Sequence, residues 1–132
     1  MNAAAAVFVA SIVGVSASQA DIRGDWINER GSVVVHISDC TTGLCGTVIW
    51  SSPAAKRDAA RGGTADFDGT TVMTGFAPVS DLRWQGKLFV PDQGRRVRAT
   101  VTLVDRGALA VKACDLGGLI CSKQTWTRWR AN

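Results

Sequence analysis

The sequence predicts a small all-β domain, an antiparallel barrel or sandwich of seven or eight short strands. Three observations predict it. After residue 30, apolar and polar residues alternate with a period of two, the signature of half-buried strands. The alternating runs are short and closely spaced, with Gly, Pro, Asp and Asn turn signals between them. Four cysteines, an even count, stand in two close pairs at the ends of such runs.

The chain opens on an uncharged apolar run, residues 3–15, which is shorter than the roughly 20 residues a membrane span needs. Ser18 and Ala20 then occupy the −3 and −1 positions of a small-x-small cleavage site. Residues 1–20 thus read as a secretory signal peptide cut before Asp21, although the α-amino group is the only charge of its n-region. The competing reading is a buried N-terminal helix. Residues 21–132 then form one domain with one modest core.

The strands follow in order. "GDW" (24–26) precedes the first clean alternation, "SVVVHIS" (32–38), where Val33, Val35 and Ile37 share one face. "CGTVIW" (45–50) is the return strand. Residues 51–69 break the pattern, being small, polar and Gly-rich. Their stretch "AAKRDAAR" (54–61) reads as a short helix, and the whole connection as a lid or a mobile loop. "TTVMTGF" (70–76) and "LRWQGKLFV" (82–90) are further strands, and "PDQG" (91–94) is a turn. Residues 95–104 give the cleanest alternation, with Val97, Ala99, Val101 and Leu103 against Arg96, Arg98, Thr100 and Thr102. "DRG" (105–107) turns the chain into a final hairpin of residues 108–114 and 121–129.

Cys40, Cys45, Cys114 and Cys121 all fall in the exported part. Export makes disulfides the expectation. The gaps are wider than the usual pairs of a zinc site, and no metal is expected. A local pairing joins Cys40 to Cys45 across a hairpin loop, Thr41 to Leu44, and Cys114 to Cys121 across "DLGGLI". Opposed hairpin residues lie at a separation a disulfide spans. Crossed bridges would close longer loops and stabilise more, by about 4.5 against about 2 kcal/mol. Geometry favours the local scheme. Cys114 shares a face with Lys112 and Cys121 with Lys123, which places that bridge on the outer face.

Chemistry is sparse. His36, the only histidine, falls on the outer face by parity, and no nucleophile, base and orienting group stand in a recognisable pattern. Asp66 and Asp68 supply too few ligands for a calcium loop and suit a solvated turn. No catalytic residue and no cofactor are expected. Arg95, Arg96 and Arg98 could hold an anionic ligand or lipid headgroup, or form a soluble strand face. Trp26, Trp50, Trp84 and Trp126 fill the core, or some of them line a cavity; Trp50 and Trp84 are the ligand-binding candidates. The net charge is +4. Away from Arg95 the charges read as dispersed, and export removes nucleic acid as a partner.

"GDW" near the start and "TWTR" (125–128) in the last strand resemble the lipocalin-type signature. There a G-x-W packs under an Arg from the final strand and plugs one end of a barrel. The resemblance gives Gly24, Trp26 and Arg128 that role. A wider resemblance covers nearly all of residues 21–132. Gly24 and Trp26, "CGTVIW", "WQGKLFVPDQG", "LAVKAC" and "TWTR" stand in the order of domain-of-unknown-function family 2147, small exported bacterial proteins. This chain has Phe89 and Val97 where that family tends to carry Tyr, and residues 51–69 match loosely. The resemblance implies export and a lipocalin-like barrel, with no established reaction.

The resulting expectation is a monomeric barrel, periplasmic or secreted, without a membrane span. It binds a small apolar or anionic ligand or an envelope component. A protein-binding module, such as an inhibitor of a cell-wall hydrolase, is the alternative, and an enzyme of unrecognised type the third.

Overall fold

The structure, a computed structural model, describes residues 20–130. The expected leader, residues 1–20, lies outside them but for Ala20. Eight strands run up and down: β1 (Gly24–Ile27), β2 (Val33–Cys40), β3 (Gly43–Ser51), β4 (Thr71–Ser80), β5 (Arg83–Val90), β6 (Arg95–Asp105), β7 (Ala108–Asp115) and β8 (Ile120–Arg128). Each pairs antiparallel with the next, and β8 returns to β1, so the sheet closes. That last pairing makes the fold a barrel and not a sandwich. Closure also removes the free edges that would otherwise template aggregation.

Alternation becomes inside and outside. Trp26, Ile37, Met73, Phe76, Val101 and Leu109 are fully buried and come from β1, β2, β4, β6 and β7. The β5–β6 register sets Trp84 against Val101, Gly86 against Ala99 and Leu88 against Val97. All six point inward, and large residues interleave with small ones as a narrow barrel requires.

The two ends differ. One carries the tight β2–β3, β4–β5 and β6–β7 hairpins and the segment before β1. The other carries the β1–β2, β5–β6 and β7–β8 turns and the long β3–β4 connection. That connection contains helix α1 (Pro53–Arg61). Ser52 caps α1 by accepting the Ala55 N–H at 3.1 Å, and Pro53 opens it where a missing N–H costs nothing. Gly62 ends it against the β5–β6 turn, where a Cβ would lie 2.2 Å from the Asp92 backbone. The connection is hydrogen-bonded to the barrel at several points. Thr64 Oγ1 donates to the Pro91 carbonyl at 3.1 Å, Gly69 and Thr70 pair with Val48, and Ser51 Oγ donates to Asp68 at 2.5 Å.

Both local disulfides are present, Cys40–Cys45 and Cys114–Cys121, with Cα separations of 5.8 and 4.1 Å. The second pair is directly opposed across β7 and β8, as expected. The first is not. The β2–β3 turn is tighter than the expected four-residue loop, for Cys40 pairs with Gly43 and Cys45 with Ser38. The bridge therefore runs diagonally.

Two further expectations are corrected. Trp50 does not fill the core; a register shift in β2–β3 sets it opposite Val34, and it is 44% exposed. Nor are the charges dispersed. Residues 1–82 carry five Lys/Arg and eight Asp/Glu, net −3, while residues 83–132 carry ten and three, net +7. In an up-and-down barrel the second half of the sequence is also one side of the molecule, so the asymmetry becomes spatial.

Candidate ligand site at the barrel mouth

One end of the barrel is plugged. The Arg128 guanidinium lies over the Trp26 indole, 4.3 Å from the ring centroid. Its Nη1 donates to the Arg23 carbonyl (2.7 Å), Nη2 to the Asp21 carbonyl (2.8 Å) and Nε to the Arg106 carbonyl (3.2 Å). Trp26 Nε1 donates to the Ile22 carbonyl at 2.9 Å. Gly24, at φ 118°, lets the chain turn beneath Arg128; a Cβ there would sit 3.0 Å from Nη1. The segment before β1 is thus strapped across the end, with Ile22 fully buried beneath it.

Arg23 anchors the strap from outside. It grips Asp39 with two hydrogen bonds, 3.0 and 2.7 Å, and Asp21 with one at 3.0 Å. Those Arg23 side-chain bonds hold the Asp39 carboxyl below its usual range. The Arg23 backbone N–H, then its guanidinium, do the same for Asp21. Trp84 belongs to this half. With Leu44 and Phe76 it lines a cavity of about 360 Å³ beside the strap.

The other end has a more apolar cavity, of about 260 Å³. Its wall is apolar: Val33 and Val35 from β2, Val72 from β4, Leu88 and Val90 from β5, and Ala113 from β7. Trp126 of β8 forms part of the wall and Phe67, from the segment after α1, its roof; both are about 5% exposed. Polar groups converge from one side. Ser122 and Gln124 are the inward positions of β8 above Trp126. Gln124 accepts from Trp126 Nε1 at 2.8 Å, so the group it can offer a ligand is its amide NH2. Asn28 also reaches the rim, but its side chain is engaged with Ser32 and the Val33 N–H. Asp92 of the β5–β6 turn also lines the cavity. An apolar chamber with a few polar residues at its rim suits a small molecule that is apolar with one polar end.

The predicted site residues distribute differently. Arg95 and Arg96 leave β6 on opposite faces. Arg95 pairs with Asp115 at the rim, Arg96 lies over Phe89 at 5.4 Å, and Arg98 faces outward beside Lys87. Trp50 is on the outer surface and Trp84 in the plugged half, so neither lines the mouth cavity. Trp126 does, with Ser122 and Gln124, which sequence reasoning did not single out. The available signal was parity: both share the inward face of β8 with Trp126, where an apolar residue would be expected. His36 is half exposed on the outer face, its Nδ1 2.6 Å from Asp25 of β1. Asp68 is taken by Ser51 and Lys56 (3.4 Å). Among the described residues no cluster of His, Cys, Asp and Glu suits a metal ion, and no helix is long and apolar enough to cross a membrane.

A family model described as "Uncharacterized protein conserved in bacteria (DUF2147)" matches residues 24–128. Among solved structures, protein HP1028 from Helicobacter pylori, described as belonging to the lipocalin family, superposes with a TM-score of 0.64. Its identity is 14%, over 83% of this chain and 84% of that one. At that identity the likeness concerns the fold. No curated protein matches the chain.

Proposed function

We propose that this chain, which belongs to the bacterial family DUF2147, binds a small apolar molecule with one polar end at the barrel mouth and catalyses no reaction on it. The observation that carries this is the apolar lining of the cavity at the end opposite the Arg128–Trp26 plug, where Val33, Val35, Val72, Leu88 and Trp126 meet the buried Phe67; the larger cavity beside the strap is lined by the charged Asp21, Arg23 and Asp39. The lipocalin-like architecture supports the same reading. At about 260 Å³ the chamber is near the lower limit of small-molecule pockets, so the ligand is shorter than a full lipid chain. Ser122 and Gln124 bond the polar end. The protein acts as a monomer outside the cytoplasm, periplasmic or released, where two disulfides persist.

Filling the cavity tests this. Ala113→Phe places a ring inside the chamber at its open rim. Wild-type protein titrated with straight-chain carboxylic acids of increasing length should show a saturable change in tryptophan fluorescence through Trp126, strongest for short and medium chains. Ala113→Phe, melting as the wild type does, should lose it. An absence of saturation for every chain length, or undiminished binding by the filled variant, rejects the site. Native mass spectrometry of protein purified from its own host would identify a retained ligand.

A second reading has its own observation. Val79, Leu82 and Val104 are each about half exposed or more at the plugged end, where Leu82 meets β6. Such a patch suits a protein partner, as an inhibitor of a cell-wall hydrolase would need. Loss of partner capture on Leu82→Ser, with ligand binding intact, would favour it.

A further inference from the structure

Between the strand ends, the outward side chains of β5 to β8 include cations and no carboxylate; the carboxylates at the margin are Asp105 at the end of β6, Asp115 opposite Ile120 and paired with Arg95, and Glu29 on the Thr125 N–H. The inward residues of these strands, Trp84, Leu88, Val97, Ala99, Val101, Leu109, Val111 and Trp126, are buried, which fixes their alternates as outward. Those alternates include Arg83, Lys87, Arg96, Arg98, Lys112 and Lys123, all exposed. No Asp or Glu occupies an outward position from 83 to 89, 96 to 102, 110 to 114 or 121 to 127. The ion pairs of the described residues use Arg23, His36, Lys56, Arg61 and Arg95 instead.

The register makes this arrangement costly. Lys87 stands directly opposite Arg98, and Lys112 directly opposite Lys123. Like charges in cross-strand opposition destabilise a sheet. Folding alone gains nothing from two such pairs on one face. An anion laid across the strands would turn both repulsions into attractions.

A second feature selects the kind of anion. The β7–β8 hairpin, at the upper margin of this face, ends in Leu119 and Ile120, which are 86% and 60% exposed. The Cys114–Cys121 bridge closes the base of that hairpin, and Lys112 and Lys123 form the next outward row. A soluble polyanion would meet the cations and leave Leu119 and Ile120 in water. A bilayer surface meets both, phosphates against the cations and the hairpin tip among the headgroups.

We infer that the β5–β8 face, with the Leu119–Ile120 tip, docks on an anionic phospholipid surface. This goes beyond ligand binding at the mouth and stands without it, since none of these side chains lines that cavity. The tip is nevertheless at the mouth end, so docking brings the open end of the barrel toward the lipid.

The test is sedimentation of the disulfide-intact protein with phosphatidylglycerol–phosphatidylcholine vesicles and with pure phosphatidylcholine vesicles. Binding should require the anionic lipid and weaken as salt is added. Each cation near such a surface is worth about fivefold, so Lys112→Gln with Lys123→Gln should weaken binding about 25-fold. The same pair should raise the melting temperature, because it removes a repulsion. Leu119→Ser with Ile120→Ser should weaken binding about tenfold or more at every salt concentration. Failure of folded wild-type protein to sediment with anionic vesicles overturns the proposal, as does equal sedimentation with neutral ones. Heparin bound as tightly as vesicles, with the tip substitutions without effect, overturns it in favour of a soluble polyanion. Fluorescence titration at the mouth involves no vesicles, so failure of either proposal can be told from failure of the other.

Discussion

Arg128 makes three hydrogen bonds to carbonyls from two separate segments and lies over an indole. Lysine could supply the charge but not the planar fork that reaches three acceptors at once. Arg128→Lys should therefore destabilise almost as much as Arg128→Ala. The stacking alone is worth up to about 2 kcal/mol when desolvated. Arg130 is exposed and beyond β8, and Arg130→Ala should change stability by less than about 0.5 kcal/mol. Urea denaturation of Trp26→Phe, Arg128→Lys and the double variant measures the coupling. A coupling of zero would mean that the plug contributes nothing through this contact. Gly24, Trp26 and Arg128 were legible in the sequence because the resemblance fixed their roles. The Asp21 and Arg23 carbonyls that complete the site were not, because a carbonyl acceptor has no sequence signature.

At the level of elements, the seam between β1 and β8 is the thinnest part of the wall. Within the two strands, Trp26 with Arg128 and Ile27 with Thr127 pair across it, and the Trp129 N–H just beyond β8 adds a bond to the Asp25 carbonyl at 3.0 Å; β1 is four residues long and β8 is nine. Above them a side chain takes over: Glu29, in the β1–β2 turn, accepts the Thr125 N–H at 2.9 Å. This latch borders the mouth beside Lys123 and Gln124. A hydrogen bond to a charged acceptor contributes about 1.5–3 kcal/mol, so Glu29→Ala should speed amide exchange at Thr125 about tenfold or more. Glu29→Gln, which keeps an acceptor, should have a smaller effect. Exchange followed by NMR decides this, and an unchanged Thr125 rate in Glu29→Ala would show that the seam holds without the latch. Strand alternation predicted both elements here but not their connection, since the partners are 96 residues apart and neither belongs to a motif.

For the whole molecule, the plug bears on where the proposed leader would be cut. Arg128 binds the Asp21 carbonyl, so a chain cut before Asp21 keeps the strap intact, whereas a cut after it removes an acceptor. Intact mass spectrometry of exported protein should give a chain beginning at Asp21 without a free thiol. Non-reducing peptide maps should link Cys40 to Cys45 and Cys114 to Cys121. A later start would contradict the role given to the strap, and a retained leader the reading of residues 1–20 as a signal peptide. The sequence by itself determined the β class, the approximate strands and which residues face inward on β5 to β8, and it favoured the local cysteine pairs over crossed ones. Each is a local property, read within a strand or between strands joined by one turn. Closure of β8 on β1, the diagonal first disulfide, the outward placement of Trp50, the roof formed by Phe67 and the separation of charge belonged to the tertiary structure. They depend on register and on contacts between distant segments. A shift of one residue, as between Val34 and Val35, exchanges inside for outside while leaving the alternation that the sequence displays unchanged.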